Sequence, residues 1–329
     1  MSAQPFYHIR PNKYIDRCLF IDILGDLKKE YDIEDYTYIG FGSYYFDDHR
    51  AIHSKLGISK MLSLESDPDV ALRAEYNIPY SCIKLVQAES RDYIDEIASM
   101  DDPLIVWFDY TDPKGLYGQF SEFCSLIDVL KSGDVFKITI NANPSSLGDR
   151  EGRGEEELWS ARLESLQSRL EEYLPATASI NDMKMSTYPR LLLQALRNAA
   201  FRVAGSPSPF SDRFVCPICS TVYGDGQQML TLTCIMLESE EERQHVLGLF
   251  EKRIGARDAW EDYIQINIPE LTEREILSLS KLLPGDGVKE SIEKDYPFIF
   301  GKNKHSRDQK IDSFIRFYRS YPRFHHIEF

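Results

Sequence analysis

The chain has 329 residues, 43% hydrophobic and 28% charged, with a formal net charge of −15. That length can bury one large α/β domain, or a domain with an appendage, and the charge disfavours a broad nucleic-acid surface. No uncharged run approaches the ~20 residues of a membrane helix; with no apolar leader and six scattered cysteines in mostly apolar runs, the expectation is a reducing, cytoplasmic setting.

Residues 6–30 open on Tyr7-His-Ile-Arg-Pro-Asn-Lys13, then carry Ile15, Leu19, Phe20, Ile23, Leu24 and Leu27 at the spacing of an amphipathic helix. From Tyr36 strands and helices alternate. Strand one is read at 36–41 and its helix at 48–57; strand two at 60–65 and its helix at 68–77, entered through Asp67-Pro68, where proline suits a first helical position. Strand three is Ile83–Ala88 with a helix at 91–99. Strand four is 104–109 with a helix over Gln119–Leu130, and strand five is Asp134–Asn141. Such alternation predicts a parallel sheet.

The loop Ser145–Glu157, rich in Gly, Arg and Glu, reads as solvated, and helices at 158–174 and Tyr188–Val203 form an insert. Phe214–Tyr223 and Met229–Leu237 flank Gly224-Asp-Gly226, which predicts an antiparallel hairpin. Beyond Glu238 the chain turns helical and polar. Thr272-Glu-Arg-Glu275 is a capping box opening a helix through Leu282, stopped by Pro284-Gly285. The aromatic tail Phe314–Phe324 is expected to dock on the body or on a protein partner, a second copy included. The fold class is α/β: a Rossmann-like doubly wound sheet of five parallel strands plus a closing antiparallel hairpin, with a helical N-terminal arm and a helical C-terminal appendage. The expected division is 1–240 and 241–329.

Strand one hands over to Gly40-Phe41-Gly42, strand two to Glu65-Ser66, strand three to Ala88-Glu89 and strand four to Asp109. In open α/β sheets ligands sit outside the carboxyl ends of the strands, where strand order reverses. Five parallel strands closed by a hairpin resemble the class I S-adenosylmethionine-dependent methyltransferase fold, whose seven-stranded sheet has its last strand antiparallel. Ile39-Gly-Phe-Gly-Ser43 stands where that family has its glycine loop and Leu62-Ser-Leu-Glu65 where its second strand ends in an acid. Gln87-Ala-Glu89 stands where its third strand meets adenine, and Asp109-Tyr-Thr-Asp-Pro113 in place of its fourth-strand motif. The resemblance covers roughly residues 36–240. The segments Tyr7–Lys13 and Trp107–Pro113 also resemble those of bacterial O-methyltransferases. What this implies is an S-adenosylmethionine cofactor and in-line methyl transfer, with oxygen as acceptor atom on a small molecule or protein.

Gly40 and Gly42 let the backbone turn and approach a ligand, with Phe41 between them. Glu65 can take a ribose diol, or cap a helix, a role Asp67 fits better; Ser66 adjoins it. Ala88 and Glu89 would face the adenine amino group or simply solvent. Asp109 would contact the methionyl amine or hold the acceptor, and Asp112 would be a general base or a metal ligand; turn chemistry at Asp-Pro is the plainer alternative for both. Arg10 and Lys13, with Tyr7, His8 and Asn12, would fold over the cofactor and pair with its carboxylate, or form a packed arm. Asn141 and Asn143 orient a substrate or shape the loop ahead of Pro144. His49 and His53 have metal-ligand spacing on a helix, but no further ligands at fixed spacing, so a solvated face is preferred and no metal is expected. Cys216 and Cys219 read as buried hydrophobes. Hydrolase and P-loop signatures are absent.

Two departures bear on the resemblance. Tyr44-Tyr45-Phe46 stands where many methyltransferases keep a third small residue, which leaves open a catalytically silent binding subunit with a filled cleft. The same bulk at Tyr45 counts against an NAD-dependent oxidoreductase, whose fingerprint wants a third Gly or Ala. Asp-Tyr-Thr-Asp-Pro differs from the Asp/Asn-Pro-Pro-Tyr/Phe signature of amino-methylating nucleic-acid enzymes.

Overall fold

A computed structural model describes residues 10–205, 213–255, 257–301 and 303–322. The chain divides into two compact units. The larger comprises Phe20–Val222 and Gln227–Ile264; the smaller comprises the residues up to Leu19, Tyr223–Gly226 and Gln265 onward. Helix α1 (Pro11–Leu27) begins in the smaller unit and ends in the larger.

The larger unit repeats strand and helix: β1 (Thr37–Gly40), α2 (Asp47–Leu56), β2 (Lys60–Leu64), α3 (Pro68–Asn77), β3 (Ile83–Val86), α4 (Ser90–Ala98), β4 (Leu104–Asp109), α5 (Leu116–Val129) and β5 (Val135–Asn141). Helices α6 (Glu155–Leu170) and α7 (Tyr188–Ala204) follow, then the hairpin β6 (Phe214–Gly224) and β7 (Gln228–Leu237), helix α8 (Glu240–Ile254) and the three-residue β8 (Ile264–Ile266), the ends of β6 and β8 from Tyr223 and from Gln265 being counted with the smaller unit. The sheet runs β3-β2-β1-β4-β5-β7-β6-β8. Strands β1 to β5 pair in parallel, and β7 lies antiparallel to β5 with Val135 opposite Ile235 and Asn141 opposite Met229. The doubly wound sheet, its five parallel strands and its closing hairpin follow the expectation; β8 extends it by a strand that three residues with no periodic pattern could not announce.

The central strands are apolar on both sides because helices cover both sheet faces. Every residue of β1 and of β5 is buried. On β5 the buried Lys137 lays its Nζ 4.2 Å from the centre of the Trp107 ring, a cation–π contact. Strand five starts one residue later than expected because Asp134 works as a clamp. Its carboxylate accepts from the Leu104 and Lys131 amides, at 2.8 and 2.7 Å. Burial pushes that carboxyl up, against those bonds.

In the smaller unit Asp225, at the hairpin tip, caps the start of α1. Its carboxylate accepts from the Asn12 amide at 3.3 Å, the Asn12 amide side chain at 2.8 Å and the Lys13 amide at 2.8 Å. Asn12 Oδ1 in turn accepts from Ile268 N. Orphan donors of a first helical turn thus find their acceptor far along the chain. Helices α9 (Glu273–Ser280), α10 (Val288–Asp295) and α11 (Lys304–Phe317) complete the unit. The capping box closes as expected, Glu275 Oε2 accepting from Thr272 N at 2.7 Å. Leu279, Ile292, Ile311 and Phe314 form the core. The described part of the aromatic tail is absorbed here: Phe314 is buried, and Tyr321 Oη donates to Pro269 O at 2.7 Å. Residues 323–329 lie outside the described residues. Among the described residues no helix is long and apolar enough to cross a membrane.

Candidate functional site

The strand order 3-2-1 reverses to 4-5 between β1 and β4, so the carboxyl ends of these two strands flank the switch point. Gly40 closes β1, opposite Ser63 on one side and Trp107 on the other. The loop that follows is held tightly. Gly42 N donates to Ser63 Oγ at 3.0 Å, and a Cβ on Gly42 would collide with that hydroxyl and come within 2.8 Å of the Phe46 ring. A Cβ on Gly40 would come within 2.9 Å of Tyr38 Cζ. Packing, rather than an unusual φ, therefore demands both glycines. Ser43 and Phe46 take the left-handed conformation, with φ of 47° and 53°, a strained choice for residues with a Cβ.

The three bulky residues separate. Phe46 is fully buried behind the loop. Tyr44 lies under the Arg73 guanidinium of α3, 3.8 Å from ring centre to Cζ, with Tyr45 beside it. Phe41 stacks on Phe108, centroids 5.4 Å apart, and meets the edge of Tyr110 at 5.8 Å.

Asp67 takes the helix cap, its Oδ1 accepting from Asp69 N at 2.9 Å and Val70 N at 3.2 Å. That leaves Glu65 at the tip of β2, half-buried, with Oε1 accepting from Asp67 N at 3.1 Å. Burial pushes the Glu65 carboxyl up, and the nearby Asp67 charge adds to this. Ser66 is exposed beside it, and beyond β3 Ala88 is half-buried while Glu89 is exposed, just before α4.

Asp109 ends β4 with its Oδ1 buried. The next residue, Tyr110, donates its hydroxyl to Glu122 Oε2 of α5 at 2.6 Å. Asp112 is exposed and caps the short turn Pro113–Gly115, its Oδ1 accepting from Lys114 N at 2.9 Å. Asn141 and Asn143 are loop builders: Asn141 Oδ1 accepts from Asn143 N at 2.9 Å, and Asn143 Oδ1 from Ser145 N at 3.0 Å.

Gly40, Phe41, Gly42, Glu65, Ser66, Ala88, Glu89 and Asp109 thus stand at the ends of β1 to β4, and Asp112 in the loop after β4. Arg10 precedes α1 and Lys13 lies buried in its first turn; Tyr7 and His8 lie outside the described residues. His49 departs from the expected solvated face: it is fully buried, its Nε2 3.0 Å from Leu62 O, because its ring packs edge-on against Tyr38 beneath the loop. Burial holds its pKa down. His53 Nδ1 pairs with Ile58 O at 2.8 Å. Cys216 and Cys219 are buried thiols, and burial pushes the Cys216 thiol up to about 12. The reading of the sequence missed Ser63, Tyr110 and Glu122, whose roles arise from partners distant along the chain.

A family model described as "Putative O-methyltransferase" matches residues 5–329. No curated protein matches the sequence. Among solved structures the chain is similar to Trm1 from Pyrococcus horikoshii with S-adenosyl-L-methionine, at 8% identity and a TM-score of 0.44, over 72% of this chain. The chain spans 58% of the length of that protein. It is similar to the O-methyltransferase from Bacillus cereus in complex with SAH, at 13% identity and a TM-score of 0.36, over 66% of this chain and 79% of that one. It is also similar to TomG from Streptomyces achromogenes, an O-methyltransferase involved in tomaymycin synthesis, at 12% identity and a TM-score of 0.36, over 66% of this chain and 78% of that one. At such scores the fold assignment rests on the strand order and not on these similarities.

Proposed function

The chain belongs to the family described as "Putative O-methyltransferase", and we propose that it moves a methyl group from S-adenosylmethionine to an oxygen of a small-molecule or protein acceptor. The observation that carries the reading is the glycine loop Gly40–Gly42, pinned by Gly42 N donating to Ser63 Oγ, at the switch point of a sheet whose next strand ends in a half-buried carboxylate. That cradle fits an adenosyl cofactor: close backbone approach at the loop and an acceptor pair for a ribose diol at Glu65. When bound, the cofactor supplies an electrophilic methyl on its sulfonium.

The chain's own part is positioning. Gly40, Phe41 and Gly42 give the cofactor a close backbone surface, Glu65 accepts the ribose hydroxyls, and Ser66, Ala88 and Glu89 border the adenine. Asp109 receives the methionyl amine. Oδ1 of Asp112 is engaged with the Lys114 amide, so taking the acceptor's hydroxyl proton falls to Oδ2. The aromatic group Phe41, Phe108 and Tyr110 gives the strand-four side an apolar wall.

Cofactor carrying a 13C-methyl group, incubated with the protein and a deproteinised cell extract as acceptor pool, tests the reaction. Labelled O-methyl resonances in the products are expected. Label appearing on nitrogen or sulfur alone, or cofactor binding with no transfer, would contradict it.

A further inference from the structure

Glu122, on α5, belongs to none of the groups assigned above, yet it joins two of them. Its Oε2 accepts from Ser90 Oγ at 2.5 Å and from Tyr110 Oη at 2.6 Å. Distances this short between hydroxyls and a carboxylate are those of charge-assisted bonds, roughly twice as strong as neutral ones. Ser90 is the first residue of α4, directly after Ala88-Glu89; Tyr110 leaves β4 directly after Asp109. The backbone of Tyr110 is fixed as well, its N donating to Thr139 O at 3.0 Å. Its ring stands edge-on to both Phe41 and Phe108, at 5.8 and 5.9 Å. Burial, and then the Glu122 charge, push the Tyr110 phenol well above its ordinary pKa, which keeps its proton in the bond to Glu122.

We propose that Glu122 is a positioning residue: by binding Ser90 and Tyr110 through one oxygen it fixes the span between the β3 exit and the β4 exit. Through the Tyr110 ring it also seats Phe41 in the glycine loop. The two exits carry the groups assigned to opposite ends of the cofactor, so this span must match the cofactor's length. The inference rests on the methyltransferase reading and deepens it. A glutamine at this position keeps an acceptor without the charge, and an alanine removes the tie.

The test is calorimetric titration of S-adenosylhomocysteine, which would reach both exits, and of adenosine, which would reach only the adenosine side. Wild type, Glu122→Gln, Glu122→Ala and Tyr110→Phe are compared, each with its thermal midpoint. Glu122→Ala is expected to weaken S-adenosylhomocysteine about tenfold, the scale of one charge-assisted hydrogen bond, and adenosine less than about threefold, with Glu122→Gln between wild type and alanine. Should Glu122→Ala fail to fold, Tyr110→Phe must show the same unequal loss. Equal weakening of the two ligands is the mark of a merely structural role and would overturn the inference, as would S-adenosylhomocysteine binding within about twofold of wild type in a folded Glu122→Ala protein. Wild-type protein that binds no S-adenosylhomocysteine would overturn the cofactor reading itself, and that result is visible before any substitution is made.

Discussion

At the scale of single residues, the two acids at the end of β2 divide their work. Asp67 spends its carboxylate on the first turn of α3, which leaves Glu65 for a ligand. This division was legible, because Asp before Pro is a strong helix start and an acid at a second-strand tip has its own use. Glu65→Ala is expected to weaken S-adenosylhomocysteine by about 1–3 kcal/mol, the scale of a charged hydrogen-bonding partner. The pH dependence follows from burial, which raises the Glu65 carboxyl. A ribose diol donates to the ionised form, so affinity rises with pH through that raised pKa, above the ordinary value of about 4.3, and is lost on acidification. Calorimetry from pH 4 to pH 7 should show this rise in wild type and a flatter profile in Glu65→Gln; identical profiles would contradict the assignment. Gly42 was legible as a glycine but not for its reason. The Ser63 hydroxyl and the Phe46 ring that exclude a Cβ come from another strand and from the start of α2. Gly42→Ala should destabilise the fold by about 1–3 kcal/mol through overpacking and weaken the cofactor; a denaturation midpoint equal to wild type would contradict it.

At the scale of elements, the strand–helix alternation could be read because each βα unit carries its own apolar run and its own stop signals. The start of α1 could not. Pro11 suits a first turn, but the carboxylate that satisfies Asn12 and Lys13 is Asp225, 213 residues from Asn12. The Gly-Asp-Gly turn reads as hairpin chemistry alone, and its second use exists only in three dimensions. Asp225→Ala should destabilise the protein by about 0.5–2 kcal/mol, the cost of a lost helix cap, measured by urea denaturation. No change in the midpoint would show that water replaces the cap. The buried His49 was illegible for the same reason. Its spacing to His53 is that of a metal pair, and the lack of further ligands made a solvated helix face the expectation, while its actual partner, Leu62 O, lies on β2.

At the scale of the whole molecule, the sheet order reverses where the glycine loop leaves β1, and the assigned carboxylates follow at the ends of β2 and β4. The family membership and this topology both support the proposed methyltransferase reading, and both were within reach of the sequence because parallel strands, hairpin and strand-end residues are local signals. The acceptor was not, since loop shape at the strand ends, where an acceptor is expected to dock, depends on tertiary packing. The central claim is that the strand ends hold an adenosyl cofactor through Glu65. Its most direct test is calorimetric titration of wild type and Glu65→Ala with S-adenosylmethionine, S-adenosylhomocysteine and NAD. The account predicts binding of the two adenosyl compounds, weaker in the variant, and none of NAD. Binding of NAD alone, or adenosyl binding untouched by Glu65→Ala, would contradict it.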